Sequence, residues 1–417
     1  MGAPAVRQLY QSSLKQGGYR ATITERPRKP NPRLRGNMKS VDIRLEEVLM
    51  ISKRANMMDS SGIRKVFDLA ASLESPINLS IGQPDFDVPE DVKDEAIDWI
   101  RRGFNKYTVT QGIPELIDEV KRYYRRRFNV ELDRVLITSG VSGGLTLAFL
   151  SLFDPGDEAL VLDPYFVMYK HLVTLFGAVP RYVDTYPDFR LRPEALENAV
   201  SSRAKAIVIN SPGNPTGAVL SQDELKLVAD FAEAHNLLII SDEIYEQLTY
   251  DSEPDTVAQH SSNVLVLNGL SKMGGMPGWR VGYAAGPAEL IERMTMIQQY
   301  TFVCAPAFAQ KAAIVALRRD TSEMVASYRR KRDIVYEGLK ERFKLNKPAG
   351  AFYVFPEAPG DDADGFVRRA IENNVLIIPG NVFSERNTHF RISFAAPDET
   401  LQEGVRILSE LCSGGRG

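Results

Sequence analysis

Four segments of this 417-residue chain set reactive residue types directly behind apolar runs. The run at 206–209 leads into Asn210-Ser211-Pro212-Gly213-Asn214-Pro215-Thr216-Gly217. The run at 237–240 leads into Ser241-Asp242-Glu243-Ile244-Tyr245, and that at 264–267 into Asn268-Gly269-Leu270-Ser271-Lys272. The run at 134–138 is followed by the small-residue turn Ser139-Gly140-Val141-Ser142-Gly143-Gly144. An amine, a carboxyl, a phenol and an amide in one place can carry acid–base and nucleophilic chemistry. The turn adds backbone N–H groups of the kind that hold a phosphate at a helix start. Singly, each segment has a plain structural explanation. Asn-Pro punctuates turns, an Asp after a strand caps a helix, a Lys is usually solvated, and small residues permit close packing. The glycine turn also lacks the spacing of the dinucleotide fingerprint and of the P-loop. It is their occurrence together at successive strand ends that points to a site.

Those segments meet only if the runs are neighbouring strands of one sheet, since open parallel sheets bind ligands outside their carboxyl edge. From Val41 onward, short apolar runs alternate with longer amphipathic stretches, the pattern of an α/β protein. Buried strands are expected at 134–138, 159–162, 206–209, 237–240, 264–267 and 281–284, with helices at 143–153, 223–235 and 290–299. In the second of these helices Leu225, Val228, Ala229 and Ala232 form one apolar stripe. After about Thr301 the texture changes. A long charged helical region at 322–343 leads into 350–355, 375–379 and 390–394, which reads as a second, α+β unit. The expected organisation is a basic, disordered extension (1–40), a segment packing with the small domain (41–83), a large domain (84–300) and a small C-terminal domain (301–417).

The run Gly269-Leu270-Ser271-Lys272-Met273-Gly274-Gly275-Met276-Pro277-Gly278-Trp279-Arg280-Val281-Gly282 resembles the lysine signature of class I/II aminotransferases, which are fold-type-I pyridoxal-phosphate enzymes. Asn214-Pro215-Thr216-Gly217 and Ser241-Asp242-Glu243-Ile244-Tyr245 resemble other cofactor motifs of that family. Ser80-Ile81-Gly82-Gln83-Pro84-Asp85-Phe86, Tyr107 through Gly112-Ile113-Pro114-Glu115-Leu116, Gly350-Ala351-Phe352-Tyr353-Val354 and Phe390-Arg391-Ile392-Ser393 are similar to it too, all in family order. The ordered set, spanning roughly Val41 to the C-terminus, is far more specific than any one motif.

The resemblance implies a large domain built on a mostly parallel seven-stranded sheet, a smaller α+β domain, and ping-pong transfer of an amino group between an L-amino acid and a 2-oxo acid. It also implies pyridoxal 5'-phosphate as cofactor and a homodimer with shared active sites. Lys272 would form the Schiff base and shuttle the proton between Cα and C4′. Asp242 would pair with the pyridine nitrogen, while Tyr245 and Asn214 would hydrogen-bond O3′. The backbone of Val141 and Ser142, with Ser271 and Arg280, would hold the phosphate. Phe166 would stack on the cofactor ring, though core packing is an equal explanation for an aromatic there. Arg391 would clamp the substrate α-carboxylate, Gly82 would approach the same group through its backbone, and Tyr107 would reach the neighbouring subunit's cofactor phosphate.

Two departures stand out. Gly269 occupies the place where many relatives carry a phosphate-binding serine, and Ser142 that where some aspartate-specific relatives carry lysine. No basic residue is evidently dedicated to a second substrate carboxylate.

Bulk composition narrows the alternatives. A net charge of -3 gives no reason to expect nucleic acid or an acidic membrane as partner. With only Cys304 and Cys412 a disulfide framework is not expected. No apolar run has the length to cross a bilayer, so a soluble, cytoplasmic protein is the expectation, and a place in amino acid metabolism is what the resemblance implies. In the first forty residues nine Lys and Arg face the single acid Glu25, among four prolines. An organelle leader, a disordered tail and a true start at Met38 compete there, and the last two are favoured because no apolar helical face runs through 9–23. Among rival functions, a β-eliminating lyase or synthase would use the same lysine. A regulatory amino-acid sensor would need a DNA-binding domain ahead of the fold, for which forty Pro-rich residues are too short. A nicotinamide dehydrogenase is disfavoured by the glycine spacing.

Overall fold

The computed structural model describes residues 51–58, 62 and 73–413. The expected N-terminal extension and much of the 41–83 segment lie outside the described residues. Of the unit Met1–Asn56 only residues 51–56 are described, with Lys53–Asn56 as a short helix, and everything below belongs to the unit Met57–Gly417.

Twelve strands are described, numbered here in chain order. They begin with β1 (Ile77–Asn78), β2 (Arg134–Thr138), β3 (Glu158–Asp163), β4 (Val179–Asp184), β5 (Ala204–Asn210) and β6 (Leu238–Asp242). There follow β7 (Val264–Gly269), β8 (Gly282–Gly286), β9 (Tyr353–Val354), β10 (Val375–Leu376), β11 (Ile378–Pro379) and β12 (Phe390–Ser393). Seven of them form one sheet in the order β2-β8-β7-β6-β5-β3-β4. All of its pairings are parallel except those of β8, which is antiparallel to both β2 and β7.

All six strands expected from apolar runs are present. The seventh, β4, carries Pro180 and Arg181 and is largely exposed. It lies at the sheet edge, where a proline deprives no neighbour of a ladder bond.

The alternation along each inner strand builds two cores. Ile207, Ile209, Ile239, Val264 and Val266 face one layer, together with helices Pro114–Phe128, Gln222–Ala234 and Ala307–Arg318. Ala206, Val208, Leu238, Ile240, Leu265 and Leu267 face the other, with helices Gly140–Leu152, Val167–Leu175 and Ala288–Tyr300. Burial on both faces explains why these strands read as continuous apolar runs. The helix Gln222–Ala234 starts where Ser221 and Glu224 close a capping box, and Leu225, Val228, Ala229 and Ala232 are its buried stripe.

The carboxyl ends of β5, β6 and β7 line up, with Asn210 opposite Asp242 and Asp242 opposite Leu267. Gly282 of β8 stands between Thr138 and Gly269. A second sheet, β11-β12-β9, is antiparallel, and β1 pairs in parallel with β10. Arg391 comes from the centre of that sheet.

Candidate active site

Lys272 sits three residues past β7, in a turn closed by the Gly275 and Met276 N–H groups donating to the carbonyls of Lys272 and Leu270 at 3.1 and 3.2 Å. Its Nζ donates to the carbonyl of Gly82 at 2.6 Å and lies over the rings of Tyr245 and Phe352 at 5.5 and 5.7 Å. Burial, then the charge of Arg391, and more weakly that of Arg280, pull the amine down to about 8 from its ordinary 10.5, while Asp242 opposes them. A lysine so placed exchanges its proton near neutral pH.

Asp242, the last residue of β6, is buried. Its Oδ2 accepts from the Tyr169 hydroxyl at 2.6 Å and its Oδ1 from the Ile244 N–H at 3.2 Å. Burial raises its carboxyl to about 6, and the bonds from Tyr169 and Ile244 and the charge of Lys272 restrain the rise. Asn210 on the adjacent strand fastens this edge: its side chain donates to the Asp242 carbonyl and accepts from the Asn214 N–H, both at 2.8 Å. Asn214 in turn offers its Oδ1 to Arg391 at 3.0 Å.

Arg391 is 1% exposed and has no carboxylate partner among the described residues. Besides the bond to Asn214 it donates Nη2 to the carbonyl of Ser80 at 2.7 Å, while Nε is buried with no acceptor among the described residues. The guanidinium lies between the rings of Tyr353 and Phe383, at 4.5 and 4.6 Å. Burying an unpaired cation is expensive, so this is an arginine prepared for an anion. The hydroxyl of Tyr353 meets that of Tyr245 at 2.9 Å, joining the Arg391 side of the site to the Lys272 side.

At the opposite end, the helix Gly140–Leu152 begins without a side-chain cap from Ser139, leaving N–H groups of its first turn, Val141 and Ser142 among them, without a capping oxygen. Arg280 arches back in a left-handed conformation (φ 56°) and donates to the carbonyls of Ser139 and Pro277 at 3.2 and 2.9 Å. The turn approaches β8 closely because Gly282 has no side chain: a Cβ there would lie 2.7 Å from the Gly140 carbonyl carbon. Gly269 is crowded in the same way, its missing Cβ being 2.9 Å from the Gly282 Cα and 3.0 Å from the Val281 carbonyl. A serine there would require this backbone to shift.

Lys272, Asp242, Tyr245, Asn214 and Arg391 are thus gathered, as are Ser139 to Ser142 and Arg280. Ser271 precedes Lys272, partly buried, without a side-chain hydrogen bond among the described residues. Phe166 lies edge-on to Tyr169 at 5.7 Å and lines one cavity with Tyr169, Asn210 and Asn214. Tyr107 is not brought into the site: it is 84% exposed. Sequence reasoning missed two residues. Tyr169 stands one helical turn from Phe166, a spacing that was available, but it reads as a core aromatic. Tyr353 lay in a motif without a role.

This fits pyridoxal phosphate: an amine with no acid partner among the described residues, a buried carboxyl at a strand end, and an uncapped helix start beside an arginine. The model of the aminotransferase class I and II family matches residues 74–408. The chain belongs to that family. This aminotransferase is 37% identical to the probable aspartate aminotransferase of Methanocaldococcus jannaschii, over 87% of its own length and 100% of the relative's. It is 36% identical to aromatic-amino-acid aminotransferase 2 of Thermococcus litoralis, covering 86% and 97%. Among solved structures it resembles a mutant of the Thermus thermophilus aspartate aminotransferase with a TM-score of 0.83 and 35% identity, covering 87% and 99%. The fold is therefore that of the fold-type-I aminotransferases, whose cofactor is pyridoxal phosphate, and the activity is transamination between amino and oxo acids.

Proposed function

We propose that Lys272 is the attachment point of the cofactor and, once the donor's amine displaces it, the base that takes the proton from the donor's Cα. When bound, pyridoxal phosphate supplies a carbonyl that condenses with amines and a ring that accepts electrons from the substrate. Lys272, drawn down to about 8, holds a neutral amine in a useful fraction of molecules near neutral pH. Asp242 keeps the ring nitrogen protonated. Tyr245 and Asn214 steady the phenolic oxygen, and Arg280, Ser271 and the Val141 and Ser142 N–H groups receive the phosphate. Phe166, which lines the cavity with Tyr169, would pack against the ring.

Arg391 fixes the donor's α-carboxylate. Its buried, unaccepted Nε is the observation that carries this reading. The two-donor plane of a guanidinium matches a carboxylate, and binding it relieves the cost of the unpaired charge. Gly82 borders the same carboxylate through its backbone. A homodimer is part of the proposal, with the exposed Tyr107 of each subunit completing the other's phosphate site. So are a division into domains at about 84 and 300 and a place in the cytoplasm. Among the described residues no helix is long and apolar enough to cross a membrane.

The donor is assigned only as an L-amino acid. The test is the absorption spectrum of the purified, cofactor-loaded protein, alone and with single amino acids in the absence of oxo acid. A visible band that is absent in Lys272→Ala and converts to a near-ultraviolet one supports the half-reaction and identifies donors. A cysteine-type substrate yielding ammonia and pyruvate with no acceptor would favour the lyase.

A further inference from the structure

We propose that Asp85, Tyr328 and Lys331 form a clamp that positions the strap of residues 80–84 across the active site. The inference rests on the roles given above to Lys272 and Arg391. The strap is anchored at one end where Leu79 donates to the Leu376 carbonyl at 2.9 Å and accepts from the Ser393 N–H at 2.8 Å. Two carbonyls along it are committed to the site: Ser80 accepts from Arg391 at 2.7 Å and Gly82 from Lys272 at 2.6 Å. One short piece of backbone therefore touches both the carboxylate-binding arginine and the reactive lysine. Its placement sets both.

The other end is Asp85. Tyr328 donates its hydroxyl to Asp85 Oδ1 at 2.8 Å and accepts from the Asp85 N–H at 3.3 Å, and Lys331 pairs with Oδ2. Tyr328 and Lys331 are three apart on the helix Ser322–Leu339, hence on one face. Both are buried. An ammonium is costly to bury, and a surface pair would hold two segments together without that cost. What the buried arrangement adds is a defined position, with both oxygens of the carboxylate committed. The helix also supports the lysine from below, since the Tyr328 ring stacks on Phe352 at 5.6 Å and Phe352 lies under Lys272. None of the three side chains contacts Lys272 or Arg391. They are positioning residues.

Tyr328→Phe removes the hydroxyl and keeps the stacked ring, so it leaves the fold in place. Lys331→Met is the stronger variant, and Arg330→Gln, on the same helix as Tyr328 and Lys331 but breaking only an exposed pair with Asp398 of the helix Asp398–Ser413, is the control. The cofactor-loaded proteins are compared by KM for an amino donor, kcat per bound cofactor, and hydrogen–deuterium exchange of residues 80–86. A loosened strap raises KM about tenfold in Tyr328→Phe. It changes kcat per cofactor far less and speeds exchange of the strap while the helix 322–339 stays protected. A clamp that only stabilises the fold would lower the melting temperature and leave KM and strap exchange as in Arg330→Gln, and that outcome overturns the proposal. If the wild type turns over no amino acid, the roles of Lys272 and Arg391 fail, and strap exchange still decides the clamp.

Discussion

The hydroxyl of Tyr169 donates to the carboxylate of Asp242 across 2.6 Å, inside a core that holds both. Burial pushes the Asp242 carboxyl up to about 6, and this bond is the largest influence holding it down. A bond from a neutral donor to a charged acceptor contributes about 1.5–3 kcal/mol. Without it, Asp242 is protonated to a larger extent at neutral pH and holds the cofactor's ring nitrogen less well. Tyr169→Phe is therefore expected to bind pyridoxal phosphate about tenfold more weakly at pH 7. The sign follows from the charged form being the competent one. The pH below which affinity declines moves upward, and a cofactor titration at several pH values in wild type and variant measures the move. An unchanged profile would mean that Asp242 is kept ionised by other groups.

The depressed lysine has a consequence for stability. In the cofactor-free protein Lys272 takes its proton up at about 8, against 10.5 in an unfolded chain. Between those values the unfolded chain carries the extra proton, so this residue's contribution to stability rises as pH rises through the window and is least favourable below it. The full difference is roughly 3 kcal/mol. Lys272→Met, lacking the titration, should gain on the wild type as pH falls from 10 to 7. Urea unfolding of both cofactor-free proteins at the two pH values tests this, and parallel stabilities would refute it.

Arg391→Lys keeps the charge and loses the planar pair of donors. The shorter donor set also leaves the Asn214 amide or the Ser80 carbonyl unsatisfied. Truncating one side of a buried charged contact costs about 2–5 kcal/mol, so kcat/KM for an amino donor should fall about 10²–10³-fold, carried mostly by KM. The visible cofactor band should remain, since the role proposed for Arg391 is to bind the donor's carboxylate and not the cofactor. Loss of the band together with turnover would show that Arg391 holds the cofactor site itself.

How much of this was legible in the sequence follows the range of the interactions. The strand ends bearing Asn214, Asp242 and Lys272 could be read because a strand buried on both faces is a continuous apolar run, and its end is marked by Gly, Asn or Asp. Strand β4 escaped that reading because an edge strand is half exposed and tolerates Pro180. The reversed direction of β8 leaves no trace in its composition, since glycine and alanine serve either direction. The pairs that tune the site were the least visible. Tyr169 is indistinguishable from a packed aromatic until Asp242, 73 residues away, is seen beside it, and Lys331 reaches Asp85 across 246 residues. Gly269 was legible as a departure from the family resemblance, but the backbone crowding around it was not.

That crowding yields a final prediction. A side chain at Gly269 would meet the Gly282 Cα at 2.9 Å and the Val281 carbonyl at 3.0 Å, backbone on both counts, and Gly282 is itself pressed against the Gly140–Val141 turn. No flexible side chain can give way. Gly269→Ser should therefore push β8 toward the turn that receives the phosphate, destabilising the protein by about 1–3 kcal/mol, as overpacking does. Although serine is the residue many relatives use, here it should weaken pyridoxal phosphate binding. Gly269→Ala separates the two effects: it brings the same steric load without a hydroxyl. If the serine variant binds the cofactor more tightly than wild type while the alanine variant does not, the hydroxyl gains a phosphate bond and the backbone yields. Equal weakening in both variants, with matched losses in melting temperature, is the expected result. It would mean that close approach of β7, β8 and the glycine turn, rather than one more hydroxyl, holds this phosphate site together.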